Sequence, residues 1–125
     1  MAIRKRPEQE LQKQIARVLD TVLKPEVVWF HVPNGGKRSA VEGAIFKAMG
    51  VKPGIPDIII TWLGPDGPLV LAIELKAGKG KPSDNQVIMM DRLSQCGWIV
   101  REARSVVDVL ELARQFMVPM RLQES

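Results

Sequence analysis

Among its 125 residues the chain has one cysteine and one histidine. Cys96 alone forms neither an internal disulfide nor a zinc site built on paired thiolates. His31 alone excludes a metal centre built from several histidines of one chain. Long apolar runs are missing as well: none approaches the length of a membrane-spanning helix. The basic start MAIRKRP leads into Glu8, Gln9 and Glu10 rather than an apolar stretch, so it does not read as a signal peptide. There is no repeat, low-complexity tract or linker, and the stretch KAGKGKP at 76–82 lacks the G-x-x-x-x-G-K-[ST] pattern of a phosphate-binding P-loop. What is there has ordinary globular composition, 46% hydrophobic and 26% charged. The expectation is one soluble domain over residues 1–125, cytoplasmic, with 1–7 as a flexible basic arm.

The charge is unevenly spread. Residues 1–52 carry ten basic and five acidic side chains, and 53–125 carry eight and nine. The N-terminal part therefore offers a polyanion-facing surface, and nucleic acid is the commonest such partner.

Periodicity predicts a helix over 8–23, where Leu11, Ile15, Val18, Leu19 and Val22 share one face. Residues 26–32 (EVVWFHV) read as a buried strand closed by the turn Pro33-Asn34-Gly35-Gly36. A short helix follows over 39–49 with Ser39 as N-cap, then a loop over 51–56. The β-branched run Asp57–Leu63, the turn GPDGP and the run Leu69–Lys76 predict an antiparallel hairpin, since a parallel crossover needs about a dozen residues or more. Ser83 and Gln86 have capping-box spacing at the start of a helix over 84–96. A short strand at 98–100 and a helix over 105–117 complete the order αβ(α)ββαβα, an α/β domain with helices packed on a small mixed sheet. Trp29, Trp62 and Trp98 read as core.

The hairpin carries the chemistry. A turn centred on Asp66 sets Asp57 opposite Leu75 and diagonal to Glu74 and Lys76, which share a strand face. Two carboxylates and an ammonium then converge at the open end of one hairpin, among apolar neighbours. Two readings are open: a structural ion pair, or a divalent-cation site in which one or two carboxylates and several waters hold Mg²⁺. Glu8 adds a third carboxylate on the buried stripe of the first helix, unless it serves only the helix dipole; Glu10 points elsewhere. Gln86 is either a cap alone or a member of the same site.

Pro56-Asp57 followed by Glu74-Leu75-Lys76 spells the PD-(D/E)xK signature of a large nuclease superfamily. The wider text is closer to one branch. An E-x-x-L-Q helix (Glu8 to Gln12), H-x-P-N-G-G (His31 to Gly36), Gly50-Val51, P-G-x-P-D (Pro53 to Asp57), Glu74-Leu75-Lys76 and the Ser83…Gln86 helix together resemble the VRR-NUC (virus-type replication-repair nuclease) family. The resemblance implies a restriction-endonuclease-like core and Mg²⁺- or Mn²⁺-dependent hydrolysis of DNA phosphodiesters. It implies Asp57, Glu74, the backbone carbonyl of Leu75 and Glu8 as metal ligands, Lys76 as the catalytic lysine and Gln86 as a supporting catalytic residue. It further implies a homodimer acting on branched or Holliday-junction DNA in replication and repair. A flap, nicking or restriction-type nuclease and a catalytically silent DNA-binding module are the alternatives. Arg4, Lys5, Arg6, Lys37, Arg38, Lys79 and Lys81 are placed for DNA phosphate contacts. His31 reads as structural more readily than as a general base, and Asn34 as a turn former.

Overall fold

The computed structural model describes residues 7–33 and 39–121; Arg4, Lys5, Arg6, Asn34, Lys37 and Arg38 lie outside the described residues. Helix α1 (Pro7–Val22) opens on a proline, whose missing N–H has no intrahelical role in the first turn. Its stripe buries Ile15 and Leu19 completely. Strand β1 (Val28–His31) follows, then helix α2 (Ala40–Ala48), whose Ser39 and Glu42 form a reciprocal capping box. Strands β2 (Ile58–Gly64) and β3 (Gly67–Leu75) form the hairpin, and helix α3 (Asp84–Gln95) crosses over to strand β4 (Ile99–Ala103). Helix α4 (Val106–Gln115), capped by Ser105, closes the order.

The sheet runs β1-β2-β3-β4, antiparallel across its first two pairs and parallel between β3 and β4. The parallel pair is possible because α3 supplies the long crossover it needs. Alternation along the strands divides the core in two. Ile58, Ile60 and Trp62 of β2 and Leu71, Ile73 and Leu75 of β3 face α1 and α4, joining Ile15, Leu19, Val109 and Ala113. Ile59, Ala72 and Val100 face the other way, with Met90 and Leu93 of α3 against them. No described helix is long and apolar enough to cross a membrane.

Two expectations require correction. Residues 26–32 do not form a buried strand: β1 is an edge, with Val28 55% and Phe30 48% exposed. Helix α3 makes its sheet contacts chiefly with β4, at the far edge, and the side of β1 that carries Val28 and Phe30 is left about half exposed. The hairpin register also moves by one residue. Gly64 pairs with Gly67 across a two-residue turn, so the turn axis falls between Pro65 and Asp66 and Ile58 pairs with Ile73. Gly67 takes φ +129°, a conformation the tight turn requires and glycine adopts without steric cost.

Candidate active site

A one-residue change of register transfers a side chain from one sheet face to the other. With Ile58 opposite Ile73, the pairing extended by one residue sets Asp57 opposite Glu74 rather than Leu75. The two carboxyl groups are thereby neighbours on one face instead of diagonal. Glu74 alternates with Ile73 and Leu75, so it leaves the α1–α4 core and turns toward α3. It is 2% exposed, the one buried charged residue among those described.

Each side chain is held from a different element. Asp57 Oδ2 accepts from the Leu75 backbone N–H at 2.8 Å, tying the entrance of β2 to the end of β3. The Asp57 carbonyl accepts from Val32 N at 2.8 Å and lies 2.8 Å from His31 Nδ1, which donates in the tautomer carrying its proton there. His31 thus reaches the site through the backbone. Glu74 Oε2 accepts from Gln86 Nε2 at 2.7 Å and lies 3.5 Å from the Lys76 ammonium. Glu74 Oε1 is buried and accepts from no N–H, while the Glu74 carboxyl hydrogen-bonds to that of Asp57 when it carries a proton. Gln86 does both things its position allows: its Oε1 accepts from Ser83 N at 2.8 Å, completing the α3 capping box, while its amide nitrogen holds Glu74. Gln86 is therefore not a cap alone: it closes the capping box and bonds Glu74 at once.

Burial sets the electrostatics. Removing Glu74 from water raises its carboxyl to about 8, helped by the neighbouring Asp57 charge and opposed by the Lys76 ammonium. Asp57 is raised as well, first by burial, while the Leu75 N–H bond pulls the other way. Two carboxyls crowded into one site share a proton between them, with a single ammonium, Lys76, beside the pair. A hard divalent cation fits this donor set, because carboxylate oxygens are its preferred ligands and water completes the shell.

Glu8 stands beside this pair rather than within it and, against expectation, is exposed rather than buried on the stripe of α1, whose buried residues are Ile15 and Leu19. Its Oε2 accepts from Ala77 N at 3.4 Å, and its charge is close enough to raise Asp57. No cluster of three or more acidic, histidine or cysteine residues able to hold a metal occurs among the described residues. Glu10 points away and pairs with Lys13 at 3.8 Å. Lys79 and Lys81 are exposed on the loop after β3. That loop is anchored by a residue sequence reasoning missed: Arg104 donates to the carbonyls of Gly78 and Gly80 at 2.7 and 2.6 Å and pairs with Glu102. No local pattern signals such a contact, since 24 residues separate Arg104 from Gly80. Trp62 is buried and Trp98 packs against the second core cluster, while Trp29 packs against the first and donates to Asp20.

Gly54 joins the two halves of the site. It has φ +82°, and a Cβ there would lie 2.4 Å from the Asn85 carbonyl oxygen and 3.0 Å from Gln86 N. The loop leading to Asp57 therefore rests directly on the first turn of α3, which carries Gln86. Gly54→Ala is expected to lower unfolding free energy by about 2–4 kcal/mol, combining backbone strain with a clash that no flexible side chain can relieve. Urea denaturation measures it; a loss below about 0.5 kcal/mol contradicts the packing described.

The sequence matches the VRR-NUC domain over residues 6–107. Among solved structures, a chain named VRR_NUC domain protein is similar with a TM-score of 0.71 at 24% identity, over 94% of this chain and 93% of that one. The four-stranded mixed sheet with flanking helices accords with a PD-(D/E)XK-like core. No curated protein matches the sequence.

Proposed function

This chain belongs to the VRR-NUC domain family, a family of nuclease domains, and we propose that it is a Mg²⁺- or Mn²⁺-dependent DNA endonuclease cutting branched or Holliday-junction-like DNA as a homodimer. The observation that carries the reading is the convergence of Asp57, Glu74, Lys76 and Gln86 at one end of the sheet, with the Asp57 and Glu74 carboxyls crowded against each other. A purely structural ion pair of Glu74 and Lys76 leaves no reason for a second, half-buried carboxyl, Asp57, beside the buried one.

Asp57 and Glu74 would hold the cation with the Leu75 carbonyl, and Glu8, from α1, would hold the cation or its waters. When bound, the cation polarises the scissile phosphate and lowers the pKa of a coordinated water. Leu75 N–H fixes one oxygen of Asp57, leaving the other for ligation. Gln86 and Lys76 both engage Glu74 Oε2, which fixes the carboxyl beside that of Asp57. The Lys76 ammonium aims the attacking water and faces the negative charge that develops on the phosphate. His31 keeps Asp57 in place through its carbonyl. Lys79 and Lys81, on the loop that Arg104 anchors, meet the DNA backbone, as do Arg4, Lys5, Arg6, Lys37 and Arg38. A two-fold junction is matched by a two-fold dimer, each protomer presenting one centre to one strand.

The test is cleavage of a cruciform plasmid beside its relaxed form in Mg²⁺ or Mn²⁺. Cutting of the cruciform alone, abolished by EDTA, is the expected result. Equal cutting of both forms removes the junction preference, and binding without cutting removes the nuclease.

A further inference from the structure

A cleft of about 490 Å³ opens beside the site, between α2, the loop 51–55 and the first turn of α3. Its polar lining comprises Lys47, Lys52, Ser83, Asn85 and Gln86; Phe46, Val51 and Pro53 give it apolar surface. Three observations bear on its occupant. Gln86, one of the lining residues, also donates to Glu74 Oε2, so the cleft adjoins the catalytic carboxylates. No carboxylate lines it, and neither lysine has an acidic partner among the described residues. Its volume lies in the range of roughly 300–1,000 Å³ that holds a small organic ligand. Exposed lysines with no counter-charge and an adjoining apolar surface are suited to one unit of a polyanion that has both a phosphate and a hydrophobic body.

We propose that this cleft is a nucleotide subsite of the nuclease centre, in which Lys47 and Lys52 hold the backbone phosphates that flank the scissile one while sugar and base lie against Phe46, Val51 and Pro53. The proposal rests on the nuclease reading and adds where the cut strand runs: past Gln86, between α2 and α3. It also gives α2 a purpose. That helix buries none of its residues, yet it brings Lys47 and Phe46 to the cleft. Lys47 and Lys52 are substrate-binding residues, and their effect belongs in KM and in salt dependence rather than in the chemical step.

Steady-state cleavage of the cruciform substrate by the Lys47→Gln/Lys52→Gln variant tests this, with Lys47→Arg/Lys52→Arg as the charge-conserving control. Both positions are exposed, so unchanged thermal unfolding is expected of each protein. The glutamine variant should raise KM about tenfold or more with the effect absent from kcat. It should also reduce the slope of log KM against log salt by about 1–2, the loss of two phosphate contacts. The arginine variant should restore both. A single neutral methylphosphonate linkage, moved through the three positions on either side of the cut, should weaken wild-type binding at one or two positions next to the cut. The glutamine variant should be indifferent at those same positions. If wild type cuts but the glutamine variant matches it in KM, salt slope and methylphosphonate profile, the cleft proposal falls and the nuclease reading stands. A fall in kcat alone overturns it equally. If wild type cuts no DNA in either metal, the nuclease reading falls and takes the cleft with it.

Discussion

Glu74→Gln is expected to abolish cleavage, by about a thousandfold or more, and at the same time to make the metal-free protein more stable than wild type at pH 8. The two effects have one cause. Glu74 is 2% exposed, and its carboxyl is raised to about 8 by burial and by the adjacent Asp57. In the unfolded chain the same group titrates near its ordinary value of 4.5. Between those values the folded protein retains a proton that the unfolded chain has lost, so stability falls as pH rises through the window. Below about 4.5 both states are protonated and the group contributes no slope. Glutamine is neutral at every pH and keeps a carbonyl that accepts from Gln86 Nε2. The variant should gain about 1–3 kcal/mol over wild type at pH 8, and the gain should shrink toward pH 4.5. Activity disappears because a neutral amide is a poor ligand for a hard cation, and a loss of about 4 kcal/mol in transition-state stabilisation is a thousandfold in rate. Urea unfolding at pH 5, 6.5 and 8 measures the first effect and cleavage the second. A variant less stable than wild type at pH 8 contradicts the assignment of Glu74 as a carboxylate held there against its own solvation.

Metal binding is proton-linked for the same reason, and this gives the second large effect. A cation ligated by Glu74 displaces the proton the metal-free site retains, so its affinity rises with pH until the carboxyl is ionised without help. Wild type should bind Mn²⁺ about tenfold more tightly for each pH unit between 6 and 8, about a hundredfold overall, and the dependence should flatten above 8. Isothermal titration in two buffers of different ionisation enthalpy reports the protons released. Release of about one proton per metal at pH 7 is expected, and release near zero is not compatible with Glu74 as a ligand. The Asp57 carboxyl is raised too, by burial first, while the Leu75 N–H bond pulls it down.

Much of the site was legible as text because its members lie within short motifs. Glu74 and Lys76 are two residues apart on a strand, and alternation alone assigns them to one face. Ser83 and Gln86 declare a helix start by capping chemistry, and the same spacing delivers Gln86 to Glu74. The relation of Asp57 to Glu74 was less accessible. It depends on whether the turn centres on Asp66 or between Pro65 and Asp66, a half-residue difference in axis that composition does not reveal and the Gly64–Gly67 pairing decides. The exposure of β1 was hidden for another reason. Val28 and Phe30 look as buried by hydrophobicity as Val27 is, but burial requires a covering layer, and α3 makes its sheet contacts chiefly with β4. Gly54 and Arg104 act across the chain, on Asn85 and on Gly78 and Gly80, and no local periodicity encodes such meetings. Glu8 was chosen over Glu10 by helix face. The structure sets Glu8 against Ala77 N beside the centre and Glu10 against Lys13.

The central claim is that Asp57 and Glu74 hold a cation on which phosphodiester cleavage depends. The most direct measurement is a Mn²⁺ titration of cleavage, on one labelled cruciform substrate, comparing wild type with Asp57→Ala at equal DNA occupancy. The account predicts saturable activation of wild type, complete inhibition by EDTA, and cleavage by Asp57→Ala at least about a hundredfold slower at every Mn²⁺ concentration. Cleavage by wild type in EDTA, or an Asp57→Ala variant that cuts at the wild-type rate, would contradict it.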